Sequence, residues 1–424
     1  MLTREENELL TRTGPGTPGG ALMRCYWQPV AVSEELPPGA APLPVRLLGE
    51  DLVLFRDERG QPGLLGLHCA HRGADLSYGR LEDGGIRCIY HGWLYDTQGR
   101  CLEQPGEPAG STFCQRIHQT AYPCVEAGGL ILAFLGGGDP PLLTPYEFLA
   151  APAARRAVQK QLSECNYLQG NEGNFDPQHL GMLHRHDRVK RGSAAWHHAG
   201  FCYATMETEE TGFGVRVYTA IPVEPDETLV SLHNFVLPNL SAFSTNTTPD
   251  GYGVNWHVPI DDTHHWVYRL QFDRTHEVPQ RTDRKAHRGL DVLDNGYVRE
   301  RTLANRYLQD REEIRSGRSF AGLGYDFDVQ DACVTEGEGP IQDRTAEHLG
   351  YPDQGVIAAR KLLLRAVAEV QAGREPPHVL RDTMATAVPG LVTMSELVPR
   401  SADWRSYCRT RIAASHAAPA LIEA

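Results

Sequence analysis

From about Tyr26 to Gly138 the apolar residues fall in short runs divided by Gly, Pro and Asp. Examples are Val45-Arg-Leu-Leu, Leu52-Val-Leu-Phe55 and Gly129-Leu-Ile-Leu-Ala-Phe-Leu135. Strand-length runs this closely spaced predict a small antiparallel β domain. Ahead of them, Thr3 with Glu6 fits a capping box and predicts a short helix. Gly14, Pro15, Gly16, Pro18, Gly19 and Gly20 then predict a break, because the stretch is too rich in Gly and Pro to continue a helix. The run Gly-Gly-Gly-Asp-Pro-Pro at 136–141 predicts a boundary.

Beyond that boundary the rhythm changes. A helical stretch is expected over 163–185, followed by strand-like runs at Phe213–Tyr218, Leu229–Val236 and His265–Phe272. A charged segment covers about 273–318. A second helical stretch, about 355–373, carries apolar residues at helical spacing. This order predicts an α+β second domain. The expected division is an N-terminal helical arm at 1–25, a β domain at 26–140 and an α+β domain at 141–424.

Composition narrows the function. The 424 residues suit two or three domains, and 41% apolar with 22% charged residues is ordinary for a globular chain with a sizeable core. A formal charge of −13 argues against a general nucleic-acid or anionic-membrane binder. Glu5 and Glu6 stand where a secretory signal has its basic patch, and no run approaches the roughly 18 apolar residues of a spanning helix. A cytoplasmic location is expected. Of ten cysteines, Cys69 and Cys88 have histidines at ligand spacing; the other eight read as buried reduced thiols.

Cys69-Ala-His71-Arg-Gly and Cys88-Ile-Tyr-His91-Gly-Trp are separated by 16 residues between His71 and Cys88. Two short loops, each giving one thiolate and one imidazole, suit a [2Fe–2S] cluster with two Cys on one iron and two His on the other. The competing reading is structural zinc. The loops are asymmetric, lie among strand-like segments and open no finger-like helix, which favours the cluster. Here the sequence resembles the Rieske family, whose loops typically read Cys-Pro-His-Arg-Gly and Cys-x-Tyr-His-Gly-Trp. Ala70 replaces the common Pro at a position that is not a ligand.

A second constellation follows in Asp176-Pro-Gln-His179-Leu-Gly-Met-Leu-His184. Asp176 and His179 are three apart and would share a helical face. His184 is five beyond His179, about 140° round an ideal helix, so both reach one metal only if the helix ends or widens there. The combined pattern resembles Rieske ring-hydroxylating oxygenases, most closely the phthalate dioxygenase-like branch. The resemblance extends to Tyr26-Trp-Gln-Pro-Val and to the Gly-Pro-Ile-Gln-Asp-Arg stretch that opens 339–350.

The resemblance implies a mononuclear Fe(II) held by His179, His184 and a distant carboxylate, leaving open positions for dioxygen. It points to Asp331, with Asp326, Asp328 and Glu336 as competitors by sequence alone. It also implies that Asp176 bridges His91 of one chain and His179 of the next, where a helix-cap role is the bland alternative.

The expected fold is thus α+β: an antiparallel Rieske domain, then a helix-grip-like catalytic domain with a central antiparallel sheet. The implied activity is that of an oxygenase component hydroxylating or oxidatively demethylating a small, aromatic organic substrate with dioxygen. Electrons would come from a separate NAD(P)H-dependent reductase, since no Gly-x-Gly-x-x-Gly fingerprint stands in a strand-to-helix context. A homotrimer or dimer of trimers is the implied assembly. The alternative is a Rieske electron-transfer protein without oxygenase activity. Arg216 and Arg269, within strand-like runs, are candidates to clamp a substrate carboxylate, against the plain reading of solvent-facing arginines.

Overall fold

The computed structural model describes residues 1–189, 196–197, 204–223, 225–280, 297–381 and 391–416. Three small antiparallel sheets build the first part of the chain. Leu130–Ala133 is buried throughout and pairs with Gln28–Val32 on one side and Cys124–Ala127 on the other. Leu43–Leu47, Glu50–Arg56, Pro62–Gly66 and Ala121–Tyr122 form the second sheet in that order. Arg80–Glu82, Gly85–Arg87, Leu94–Asp96 and Cys101–Glu103 form the third. The third sheet packs its inner residues, Ile86 and Tyr95, with Val53, Phe55, Cys69 and Cys88 in a core of its own.

The second part is built on an eight-stranded antiparallel sheet. Arg156–Ser163 stands at one edge, followed by His265–Asp273, Gly251–Pro259, Leu240–Phe243, Glu227–Val236, Gly214–Val223 and Thr205–Glu210. Met394–Pro399 adds to the free half of Glu227–Val236. The helix Gln354–Gln371 lays Val356, Ala359, Leu362, Leu363, Ala366 and Val367 against the Gly214–Val223 side of this sheet. Those positions repeat at helical spacing and form the apolar stripe expected of a helix on a sheet. The helices Tyr167–Asn174 and Phe327–Gly337 pack on each other, and the former also packs on Gly251–Pro259. This is the expected α+β, helix-grip-like arrangement. No helix among the described residues is long and apolar enough to cross a membrane.

Two local expectations are corrected. The break after the first helix, Arg4–Thr11, is shorter than its Gly and Pro content suggested, because a second helix runs over Pro18–Arg24. Pro18 occupies the first turn, where its missing N–H costs nothing. Gly19 and Gly20 serve close packing: a Cβ on Gly19 would lie 2.6 Å from the Arg12 and Leu9 carbonyl oxygens. The expected helix over 163–185 is mostly another structure. Ser163 ends a strand, the helix covers only Tyr167–Asn174, and a single 3-10 turn spans His179–Gly181. Pro177 disfavours helical geometry at Asp176 and removes a donor, so the helix stops before the pair. Of the charged segment at 273–318, residues 281–296 lie outside the described residues; the remainder includes a 3-10 stretch, Leu303–Leu308, and a short helix, Arg311–Arg315.

A buried ion network ties these pieces together. Glu172 accepts hydrogen bonds from Arg344 Nη2 at 3.0 Å and from Arg360 Nε at 2.6 Å. Arg344 also donates to Asn7 of the first helix, at 3.2 Å, and Arg360 pairs with Glu347. Removing the central carboxylate would leave two buried guanidinium groups short of a partner. Glu172→Ala is expected to lose about 3–5 kcal/mol, read as a lower midpoint of urea unfolding.

Candidate metal centres and substrate cavity

The two Cys–His loops are closed by matching backbone bonds. Gly73 N–H donates to the Cys69 carbonyl at 2.8 Å, and Gly92 N–H to the Cys88 carbonyl at 2.9 Å. Both glycines are left-handed, with φ of 73° and 75°, which suits a residue without a Cβ. Cys69 and Cys88 are buried in the same small core. The Tyr95 hydroxyl lies 3.2 Å from Cys69 Sγ. The His71 and His91 rings meet edge to face with centroids 4.5 Å apart, and His71 stacks on Trp93 at 4.4 Å. The sulfur pair thus faces the core, while His91 is exposed.

The second constellation converges as well. Ligand atoms of His179, His184 and Asp331 all lie within 4.8 Å of one another. Asp331 Oδ1 is 3.1 Å from His184 Nε2 and 3.8 Å from His179 Nε2. The end of the helix at Asn174 and the turn at His179–Gly181 bring the two imidazoles together; no π-like widening is needed. Asp176 Oδ2 stands 3.5 Å from His179 Nδ1, while its Oδ1 accepts the Gln178 N–H at 2.9 Å. It therefore also fills the turn-capping role weighed above. Burial pushes the Asp331 carboxyl up, but His184 and His179 outweigh that and hold it below its ordinary value.

The competing carboxylates have other partners. Asp326 caps the Phe327–Gly337 helix by accepting the Asp328 N–H at 3.0 Å. Asp328 pairs with Arg269 at 2.8 Å. Glu336 is buried against Arg299 and the Tyr307 hydroxyl.

A cavity of about 690 Å³ opens over His179, His184 and Asp331. Leu180, Phe243, Leu270 and Phe327 line it together with Asn255, Gln271 and other polar residues. Arg269 lines it too, and its Nε is buried with no partner among the described residues. Arg216 does not line it: the side chain is buried below the Phe213 ring, 3.4 Å from Glu209, so it is neither a cavity clamp nor solvent-facing. His233 also lines the cavity, and burial lowers it to about 4, making it a neutral imidazole near pH 7.

Residues 26–122 match the Rieske [2Fe-2S] domain model, and residues 133–422 match the LigXa C-terminal domain like model. The chain is 35% identical to the phthalate 4,5-dioxygenase oxygenase subunit of Pseudomonas putida, over 96% of this chain and 95% of that one. It is 32% identical to the 5,5'-dehydrodivanillate O-demethylase oxygenase subunit of Sphingobium sp., over 90% and 84%. The chain belongs to the Rieske non-haem iron oxygenases. The same fold is found in the terminal oxygenase of carbazole 1,9a-dioxygenase from Nocardioides aromaticivorans, with a TM-score of 0.57 at 18% identity, covering 85% of this chain and 96% of that one.

The residues fit the cofactors of a Rieske oxygenase. Two thiols and two imidazoles suit the [2Fe–2S] cluster, and the His179, His184 and Asp331 set is the facial triad of a non-haem Fe(II) site. A catalytic iron site beside a cavity sets aside the reading of an electron carrier without oxygenase activity. Sequence reading missed three residues around it: Phe327, whose ring stacks on His184 at 4.1 Å, Gln330, whose Oε1 lies 2.6 Å from His184 Nδ1, and His233. Only His233 carried a signal, as an imidazole inside a strand-like run that is buried from Val230 to Val236.

Asp331→Ala is expected to lose the mononuclear iron while the visible absorption of the cluster stays at full strength. Metal analysis with absorption spectroscopy checks this.

Proposed function

We propose that this Rieske oxygenase acts on a small aromatic substrate, preferentially one bearing a carboxylate, with electrons relayed from an NAD(P)H-dependent reductase. The observation that carries the reading is the iron triad at the wall of a cavity whose lining mixes apolar side chains, Leu180, Phe243, Leu270 and Phe327, with polar ones and with Arg269. Phthalate and dehydrodivanillate in the names of two relatives are consistent with an aromatic acid. When bound, the cluster supplies single electrons and the iron supplies dioxygen chemistry. Cys69, His71, Cys88 and His91 hold the first; His179, His184 and Asp331 hold the second. Phe243, Leu180 and Phe327 shape the space for a ring and exclude water from it. Arg269 offers its guanidinium to the substrate's carboxylate as an alternative to Asp328.

The division into an arm at 1–25, a Rieske domain at 26–140 and a catalytic domain at 141–424 belongs to the same proposal. So does assembly as a homotrimer or dimer of trimers, with Asp176 of one chain joined to His91 of its neighbour. Two apolar surfaces support a head-to-tail contact. Tyr78, Ile89 and Tyr90 stand more than half exposed around the cluster loops. Met182, Phe327 and Val334 are exposed near the iron site. A heterologous contact of this kind closes into a ring when its rotation permits.

Turnover of an aromatic-acid library with a compatible reductase, NADH and dioxygen, read by mass spectrometry, tests the activity. Oxygenated or demethylated product is expected, and its absence across the library with both metal sites loaded contradicts the substrate reading. Arg269→Met is expected to raise KM for an aromatic acid by roughly 10-fold or more, with a smaller change in kcat, given the ~1.5–3 kcal/mol of a charged hydrogen bond. Asp176→Asn is expected to keep both metal centres and slow electron transfer between them; unchanged coupled turnover would sink the bridge.

A further inference from the structure

Gln330 is fully buried on the second turn of the Phe327–Gly337 helix, one residue before Asp331. Its amide is held at both ends. Nε2 donates to the Gly324 carbonyl at 2.7 Å, and Oε1 faces His184 Nδ1 at 2.6 Å. A carbonyl only accepts, so the NH2 end of Gln330 must face Gly324 and the oxygen must face His184. An amide oxygen also only accepts, so Nδ1 of His184 carries the proton. Nε2, on the Asp331 side of the ring, is then the nitrogen whose lone pair is available to a metal that Asp331 would share. The Phe327 ring, stacked at 4.1 Å and 13°, fixes the plane in which that lone pair points.

We propose that Gln330 is a positioning residue that sets the tautomer and aim of His184 for the mononuclear metal. This goes beyond the substrate reading and does not depend on it. The two ligand imidazoles consequently have different supports. His179 Nδ1 stands 3.5 Å from the Asp176 carboxyl, a long contact at the limit of a hydrogen bond. His184 Nδ1 has a short bond to a neutral amide, which adds no charge to the site. His184 is thus fixed by the Phe327–Gly337 helix, whereas His179 faces Asp176, the residue assigned to the proposed contact with a neighbour. Partners behind a metal-bound histidine typically matter 10–100-fold in metal affinity.

The test uses the full-length protein with its cluster in place and Co(II) at the mononuclear site. The oxidised cluster is EPR-silent, so the Co(II) signal reports its own ligands. Gln330→Met keeps the volume but removes the acceptor. It is expected to weaken Co(II) binding by roughly tenfold or more and to change the Co(II) signal, with cluster absorption unchanged. Gln330→Glu keeps an oxygen acceptor facing His184 while, like Gln330→Met, it lacks the donor to Gly324; it is expected to bind Co(II) more tightly than Gln330→Met. Parent-like Co(II) affinity and signal in Gln330→Met would overturn the proposal. So would equal loss in both variants, because Gln330 would then act only by holding the loop at Gly324.

Discussion

Two imidazoles from one turn and a carboxylate from a helix far along the chain must meet at a single point. The docking of the Phe327–Gly337 helix makes that meeting happen. At its first turn Phe327 stacks on His184 and Asp328 pairs with Arg269. At its last turn Glu336 is buried against Arg299 and Tyr307, and it also accepts the Glu164 N–H at 3.2 Å. With both ends held, Asp331 in the middle has little freedom to miss its partners. The opposing helix, Tyr167–Asn174, is fixed in turn by Glu172 and its two arginines. Rigid elements backed by buried polar contacts hold a metal site more sharply than loops alone.

That dependence explains what the sequence could and could not disclose. The cluster ligands were legible because all four sit in two short loops whose spacing is local. His179 and His184 were legible for the same reason. Asp331 stood among four acidic residues on one stretch, and only resemblance favoured it, since what distinguishes it is the occupation of Asp326, Asp328 and Glu336 by distant partners. The failed helix at 163–185 has a local cause on its C-terminal side, Pro177, which disfavours helical geometry at Asp176. Gly19 and Gly20 misled because glycine permits both a break and a close contact, and only packing decides between them. Arg216 misled because strand alternation assigns a face without saying that an inner face lies under a ring rather than at a cavity.

The protein separates its two metal chemistries between two cores. The cluster loops are supported by Ile86, Tyr95 and the small sheets around them, and the iron triad by the large sheet and its helices. With the thiols buried and His91 exposed, a cluster held by these residues would present its imidazole side outward. On the proposed assembly, His91 of one chain meets Asp176 of the next, and the two motifs in one sequence serve different partners. Oligomerisation would then be a condition of turnover and not only of stability.

Mixed assemblies test that claim most directly. Chains carrying Cys88→Ser are expected to lack the cluster, and chains carrying His184→Ala the mononuclear iron, and each alone is expected to be inactive. Co-assembly places an intact cluster on one chain next to an intact iron site on its neighbour. The account predicts that turnover returns in the mixed assemblies, in proportion to the fraction of such neighbouring pairs. Mixed assemblies that form fully, bind both metals and remain as inactive as their parents would contradict it, because electrons would then be confined to a single chain.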